Sequence, residues 1–188
     1  MPAGVKSGDT LLAQVGAAAT GSVTLTAPAG WSLSGSSSSS NGNRIQAVYL
    51  RVAGSAEPSS YTWTSNSAVS AVGGIAAYYN VNTTKRIDVS TSVFHSASST
   101  SVMIPSVTTT QNNDQLIVFM TTFAGENPGQ WTMPTGVSTE WVAEDAALGI
   151  SAGFVDTPVP AAGATGSAAA TVPASGTNAV AVIGLRSN

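Results

Sequence analysis

Residues 114–123 read Asp114-Gln115-Leu116-Ile117-Val118-Phe119-Met120-Thr121-Thr122-Phe123. The uninterrupted apolar stretch Leu116–Phe119 follows the turn-forming residues Asn112-Asn113. A short apolar run of this kind is typical of a strand that is covered on both faces. Val180–Leu185 has the same character near the end of the chain. We therefore predict two central strands at these positions, with a layered all-β fold around them.

Strand-like runs alternate with turn residues along the rest of the chain, at a spacing of about 8–12 residues that is typical of sandwiches and barrels. Tyr61-Thr62-Trp63-Thr64 alternates aromatic residues with Thr, which places both rings on one sheet face. Ser36–Ser40 with Asn41-Gly42-Asn43, and Pro158–Gly166, are predicted loops. We predict one antiparallel β-sandwich domain over residues 1–188, of jelly-roll or immunoglobulin-like type. The predicted strands are Thr10–Ala17, Ser22–Ala27, Ile45–Ala53, Ser60–Thr64, Gly74–Tyr79, Thr100–Ile104, Asp114–Phe123, Ser138–Ala143, Ile150–Thr157, Ala168–Val172 and Ala179–Leu185.

The chain also matches itself at an offset of 105 or 106 residues. Aligned turn residues and aligned apolar residues indicate two halves of similar fold, about 1–84 and 101–188, joined by a linker over residues 85–100. The matching pairs are Asp9-Thr10-Leu11-Leu12 with Asp114-Gln115-Leu116-Ile117, Pro28-Ala29-Gly30-Trp31 with Pro134-Thr135-Gly136-Val137, Tyr49-Leu50 with Phe154-Val155, Tyr61-Thr62 with Gly166-Ser167, and Ile75-Ala76-Ala77 with Val180-Ala181-Val182.

The two halves differ at their beginnings. Ser101-Val102-Met103-Ile104 is a predicted strand before the second half, whereas only Met1–Val5 precedes the corresponding position in the first. An unfilled strand position exposes unpaired backbone groups, which invites pairing with another chain. We therefore predict either an N-terminal truncation or an edge completed by a neighbouring subunit. The predicted open edge is marked by Thr10, Leu12, Val102 and Ile104.

Composition excludes several classes of function. Charged residues make up 8% of the chain, and its six Lys and Arg are scattered, so there is no basic stripe for nucleic acid. There is no cysteine, which removes disulfides, thiolate nucleophiles and zinc-thiolate sites. No apolar run is long enough for a membrane-spanning helix, and the N-terminus does not have the pattern of a signal peptide. We expect either a protein that is not exported by the general route or a piece of a longer chain.

Residues that could carry chemistry are few. His95 is the only histidine, and no Gly-x-Ser-x-Gly elbow accompanies it for a relay with Asp88. The acids are closest together at Glu140, Glu144 and Asp145, where a solvated loop or strand end is favoured over a glycosidase pair. Glu57 is expected to cap a turn or to pair with Arg51. We predict no catalytic residue, no cofactor and no metal site, and therefore no enzyme.

The four tryptophans are the remaining candidates for a binding role, because flat apolar rings suit both sugars and protein partners. Trp31 and Trp63 lie in regular turn and strand contexts, so we expect them in the core. Trp131 and Trp141 are the candidate partner or glycan contacts, and Trp131, between Gln130 and Met133, is expected to be exposed.

Most of the chain resembles a module of bacterial secreted and cell-surface proteins and of phage structural proteins. The stretches that carry the resemblance are Pro2–Ala13, Pro28–Leu33, Tyr49–Ala53, Glu57–Trp63, Gly73–Tyr78 and Ser106–Thr110. The resemblance implies a fold and no catalytic residues. In similar modules a strand usually precedes the segment that corresponds to Pro2-Ala3-Gly4-Val5.

Two functions agree with these observations. We expect a structural protein of a phage particle, a capsid decoration (cement) or tail accessory protein. It would sit in the virion as an oligomer and bind other copies of itself and neighbouring virion proteins through sheet edges and loops. The alternative is a module of a bacterial surface adhesin or carbohydrate-binding protein, located at the cell surface or outside the cell, with a glycan as its ligand.

Overall fold

The computed structural model describes residues 1–125, 130–145 and 149–188. Over these residues the chain is all-β, without a helix, and the prediction of an antiparallel β-sandwich is confirmed. Within the same residues, no helix has the length and apolarity that crossing a membrane requires. The strands are β1 Thr10–Ala18, β2 Leu25–Thr26, β3 Ser32–Ser38, β4 Arg44–Val52, β5 Thr64–Ser65, β6 Ser70–Tyr78, β7 Ile87–Ile104, β8 Thr108–Thr109, β9 Asp114–Phe123, β10 Ser138–Asp145, β11 Ile150–Val159, β12 Gly163–Ala164 and β13 Ala168–Leu185.

Two antiparallel sheets form the sandwich. The first has the strand order β3-β4-β1-β6, and the second has the order β10-β11-β9-β13-β7. β1 pairs with β4 and with β6 without a register shift, from Thr10 opposite Tyr78 to Ala18 opposite Ser70 on the β6 side. Two short ribbons, β2 with β5 and β12 with β8, lie outside these sheets.

The inner faces of the two sheets share an apolar core. Leu12 and Val48 of the first sheet pack with Phe119 and Phe154 of the second, whose rings meet edge to face at 4.4 Å between centroids. Every residue of β9 except Gln115 is buried. The predictions of central strands at Leu116–Phe119 and Val180–Leu185 are therefore confirmed.

Each sheet also has an apolar cluster that does not include the residues of the shared core. On the first sheet, Leu11 and Ala13 of β1 pack with Trp31, and Trp63 is packed against the same cluster. On the second sheet, Val118 and Met120 of β9 pack with Val102 and Ile104, the last part of β7. Because successive side chains of a strand point to opposite faces, β1 and β9 contribute to both kinds of core, which explains why they are buried throughout almost their whole length.

Three polar side chains cross the space between the sheets. The Gln14 amide donates to Gln46 Oε1 at 2.8 Å and to Thr121 Oγ1 at 3.0 Å, and the Thr121 hydroxyl donates to Gln46 Oε1 at 2.7 Å. Gly16 makes room for this network, since a Cβ there would lie 2.7 Å from the Thr121 methyl. The network ties β1, β4 and β9 together inside the fold.

Several predicted boundaries are wrong. Residues 85–100 are not a linker, because β7 runs unbroken from Ile87 to Ile104 along β13. Ser36–Ser38 belongs to β3 and not to a loop. Both strands are rich in Ser and lie at sheet edges, where extended backbone forms without a continuous apolar run. The predicted strands Ala168–Val172 and Ala179–Leu185 are parts of the single strand β13, with register shifts between them.

Two other predicted strands form only in part. Of Ser22–Ala27 only Leu25–Thr26 is a strand, and Ser60–Thr64 gives way to Thr64–Ser65. The rings of Tyr61 and Trp63 nevertheless reach the same cluster on the first sheet. Leu25 of β2 packs against the same cluster, so the ribbon of β2 with β5 lies beside these aromatic rings over β1.

Candidate functional site at the edge of strand β6

The predicted open edge is only partly where the sequence placed it. Thr10 and Leu12 lie on β1, which is hydrogen-bonded on both sides, so their assignment to an open edge is wrong. The reason is the strand order, which inserts β6 next to β1. Val102 and Ile104 do lie on an edge strand, β7, with their side chains buried in the cluster on the second sheet. The first sheet ends instead at β6.

β6 differs from the other three edge strands in having no device that discourages pairing. Its nine residues, Ser70–Tyr78, include no charged residue and no proline, and its register with β1 is regular. β10 carries three acids and a bulge between Thr139 and Trp141. β3 has a bulge between Leu33 and Gly35, and the pairing of β7 with β13 has three register shifts. Charges and bulges on edge strands are what normally prevents another strand from adding to a sheet.

Two grooves flank this edge, and both are lined by Gly73, Gly74 and Ile75. The first groove, of about 370 Å³, lies on the side of the aromatic residues Tyr61 and Trp63. The second, of about 570 Å³, lies toward β10 and is lined by Glu140, Trp141, Val142 and Ala143, together with Met1 and Pro2. Side chains of a strand added to β6 would alternate between these two grooves.

Trp141 lies against the inner side of the edge. A Cβ on Gly74 would be 2.5 Å from the ring atom Cε2 of Trp141, so a glycine is required for the ring to approach β6 this closely. The ring is half-buried and packs edge to face with Phe154 at 6.4 Å. Its buried Nε1–H has no hydrogen-bond partner within the residues that the structure describes. Trp141 thus joins the core to the groove between β6 and β10.

The other tryptophans take part in packing. The expectation that Trp31 and Trp63 belong to the core is confirmed, with ring centroids 5.2 Å apart. Trp131 is half-buried, which differs from the expectation of an exposed ring, and it packs against the cluster on the second sheet. Its Nε1–H donates to Ser151 Oγ. The sequence could not indicate this contact, because Trp131 lies outside the strands and Ser151 is 20 residues away on β11.

Two carboxylates, Glu140 and Asp156, lie near the Ala77–Tyr78 end of the β6 edge, and we call them the acidic rim. The Tyr78 hydroxyl donates to Asp156 Oδ2 at 3.0 Å, and a cavity of about 400 Å³ is lined by Tyr78, Asp156 and Glu140. Burial, and then the charge of Asp156, raise the pKa of Glu140. The same two causes raise the pKa of Tyr78. The acidic neighbour that affects Glu140 is therefore Asp156 on β11. The sequence pattern groups Glu140 with Glu144 and Asp145 because they are close along the chain.

Two ion pairs account for the other unusual charges. Arg51 pairs with Glu57 at 3.1 Å, and the Gly54 N–H donates to Glu57 at 2.6 Å, so the predictions of a pair and of a turn cap are both confirmed. Hydrogen bonds from Tyr61 and Arg51 lower the pKa of Glu57 to about 2. Arg186 pairs with Asp88 at 2.9 Å, beside the buried Asp114. Burial, and then the charge of Asp88, raise the pKa of Asp114 to about 6.

The residues considered for chemistry are not brought together into a catalytic set. His95 and Asp88 lie seven residues apart on β7, which in extended backbone is about 23 Å. His95 Nε2 is 3.1 Å from the carbonyl oxygen of Met103, and Asp88 is held by Arg186. Across residues 1–125, 130–145 and 149–188, no three residues of the types His, Cys, Asp and Glu are placed to hold a metal ion.

No protein-family model, no curated protein and no solved structure matches this chain. The resemblance to modules of bacterial secreted proteins and phage structural proteins therefore stays a prediction.

Proposed function

We propose that the chain is a non-enzymatic structural protein of a phage particle, a capsid decoration or tail accessory protein, that binds its neighbours through the outer edge of β6. The observation that carries the proposal is the combination of an uncharged, proline-free edge strand with a groove on either side. An exposed edge of this kind is a template for pairing with another polypeptide.

The backbone of β6 supplies the affinity in this proposal. The outer side of a nine-residue strand offers about nine N–H and C=O groups, counted over one edge of the ladder. Each hydrogen bond between protein groups contributes about 0.5–1.5 kcal/mol net. The grooves beside Trp63 and Trp141 add apolar burial. Such an edge gives a partner both binding energy and a fixed register.

The predicted internal repeat supports the same edge. If residues 1–84 and 101–188 are two copies of one unit, β3-β4-β1-β6 corresponds to β10-β11-β9-β13, and β7 is the strand without a counterpart. The second sheet then shows what a completed edge looks like, because β7 covers β13 over most of its length. The corresponding position beside β6 is the one to which we assign the neighbour.

The alternative, a carbohydrate-binding or adhesin module, depends on free aromatic faces. Trp131 has one side packed and its N–H bonded to Ser151, and Trp141 is wedged against Gly74. The large apolar side chains that are most exposed are Leu33, Val52, Tyr79, Met103 and Val142 among the described residues, and none of them is a tryptophan. These observations favour the edge over a glycan platform.

The experiment is to purify particles from the source of the protein on a density gradient and to quantify the chain in them by mass spectrometry. We expect a fixed copy ratio to the major capsid or tail subunit. Absence from the particles would refute the assignment to a virion.

Particles assembled with Ala71→Lys should take up at least about tenfold less protein, since the lysine places a charge in a contact that excludes water. Ala169→Lys is the matched control, because both alanines are exposed and lie on strands, and only Ala71 is on β6. Equal uptake of the two variants would contradict the role of the edge.

A further inference from the structure

We infer that the natural occupant of the β6 edge is an extended segment of a partner polypeptide that runs antiparallel to β6. The segment is uncharged where it pairs, apolar at alternate positions, and basic at its N-terminal end. This inference rests on the proposed function and names the chemistry of the partner. Three features of the edge carry it.

Direction follows from the second sheet. There, β7 is antiparallel to β13, with Val93 opposite Val180 and Thr91 opposite Val182. The sequence match places Ile75 at the position of Val180, so a strand beside β6 in the same arrangement would have a residue like Val93 opposite Ile75. β7 is thus an internal template for the missing strand.

The two grooves beside β6 determine which side chains of the added strand should be apolar. Ile75 packs with the aromatic cluster of Trp63, whereas Ala76 packs in the core between the sheets. Successive side chains of the added strand would therefore face Tyr61 and Trp63 on one side and Trp141 on the other. A segment with apolar or small residues at both sets of positions fits, and a charged side chain in either groove would lose its water without gaining a partner.

The acidic rim, Glu140 and Asp156, indicates the charge at one end of the partner segment. Glu140 and Asp156 lie at the Ala77–Tyr78 end of β6, and within the described residues neither forms a salt bridge. An antiparallel strand brings its N-terminal end to this rim. The template has the same feature, because Lys85 and Arg86 immediately precede β7. A cation at that end of the partner would be attracted to the two carboxylates.

The probe is a fluorescently labelled peptide of residues 85–96 with Asp88→Asn, titrated with the full chain and followed by anisotropy. We expect saturable binding at one peptide per chain, and slower hydrogen exchange of the β6 amides, Ser70–Tyr78, in the bound state. A scrambled peptide should not bind. Ala71→Lys should weaken binding at least tenfold, and Ala169→Lys should leave it unchanged.

The charge component has its own test. Glu140→Gln should weaken binding of the peptide by about twofold to fivefold, the range for an exposed ion pair. It should have no effect on a peptide that also carries Lys85→Ala and Arg86→Ala. Equal effects on the two peptides would overturn the basic end of the partner.

Two other outcomes would overturn the inference as a whole. One is binding that Ala71→Lys leaves unchanged or that protects amides outside β6. The other is failure of the peptide to bind while the chain forms a dimer that Ala71→Lys dissociates, measured by analytical ultracentrifugation, because a second copy would then occupy the edge. Co-sedimentation with particles is measured separately, so the proposed function can survive a negative peptide result.

Discussion

Asp114 is a buried carboxyl group with a large predicted effect on stability. It begins β9, its side chain is 1% exposed, and neither of its oxygens has a hydrogen-bond partner within the described residues. The neighbouring Asp88 forms the ion pair with Arg186. Asp88 also accepts hydrogen bonds from the backbone N–H and the hydroxyl of Thr110, each at 2.5 Å. Asp114→Asn removes the ionisable group and keeps its shape.

The magnitude follows from the pKa of Asp114, which is raised from 3.8 to about 6 by burial and then by the charge of Asp88. The change is about two units, and each unit corresponds to about 1.4 kcal/mol. Because the folded-state pKa is raised, the stabilisation is fully present below the unfolded-state value and is lost as pH rises through about 6. Asp114 should therefore reduce the free energy of unfolding by up to about 3 kcal/mol between about pH 4 and pH 7.

Urea unfolding at a series of pH values from 4 to 7.5, followed by tryptophan fluorescence, measures this slope. Asp114→Asn should be more stable than the unaltered chain at pH 7, and its free energy of unfolding should decrease much less between pH 4 and pH 7. The pKa of Glu140 is also raised, so Glu140→Gln is needed to separate a smaller contribution of the same sign. Glu144→Gln, at an exposed carboxylate, is the control. An unchanged slope in Asp114→Asn would refute the reasoning.

Three further predictions concern the packing of the sandwich. Gly74→Ala should lower the free energy of unfolding by about 1–3 kcal/mol in urea titrations, because the new methyl group would clash with the Trp141 ring. A free energy of unfolding equal to that of the unaltered chain would contradict this contact. Gln14→Ala should lower the free energy of unfolding by about 1–3 kcal/mol, because it removes one of the two hydrogen bonds that the buried Gln46 Oε1 accepts and leaves only the one from Thr121. A coupling free energy of zero in the double variant Gln14→Ala/Gln46→Ala would contradict this. Glu57→Gln should lower the melting temperature at pH 7 and lower it much less at pH 2, since the stabilisation from the lowered pKa of Glu57 is lost as pH falls through about 2. Calorimetry that gives the same decrease in melting temperature at both pH values would contradict this.

The sequence predicted the strands that the core depends on and the edge strands β6 and β10, but it missed the Ser-rich parts of the edge strands β3 and β7. Leu116–Phe119 is apolar without interruption because β9 faces the core between the sheets on one side and an apolar cluster on the other. β3 and the first part of β7 have no such requirement, and the sequence pattern assigned Ser36–Ser38 of β3 to a loop and the part of β7 before Thr100 to a linker. A local apolar pattern indicates buried side chains, and a Ser-rich edge strand buries few of them.

The candidate site shows the same limit. The duplication predicts an unfilled strand position, and its placement beside Thr10 and Leu12 is wrong, because no local pattern indicates the order of strands in a sheet. The closeness of Glu140 to Asp156 depends on the neighbouring strands β10 and β11 and on the bulge after Thr139, which residue spacing along the chain does not predict.

The two open sides of the sandwich explain why β6 and not another edge is the candidate. On one side, β3 and β7 cover each other, since a Cβ on Gly35 would lie 2.7 Å from Ser92 Oγ. On the other side, β6 and β10 meet through the ring of Trp141, and grooves remain beside it. β10 is protected by its acids and its bulge, whereas β6 has neither. β6 therefore offers an added strand a regular and uncharged backbone edge, with Glu140 and Asp156 near its Ala77–Tyr78 end.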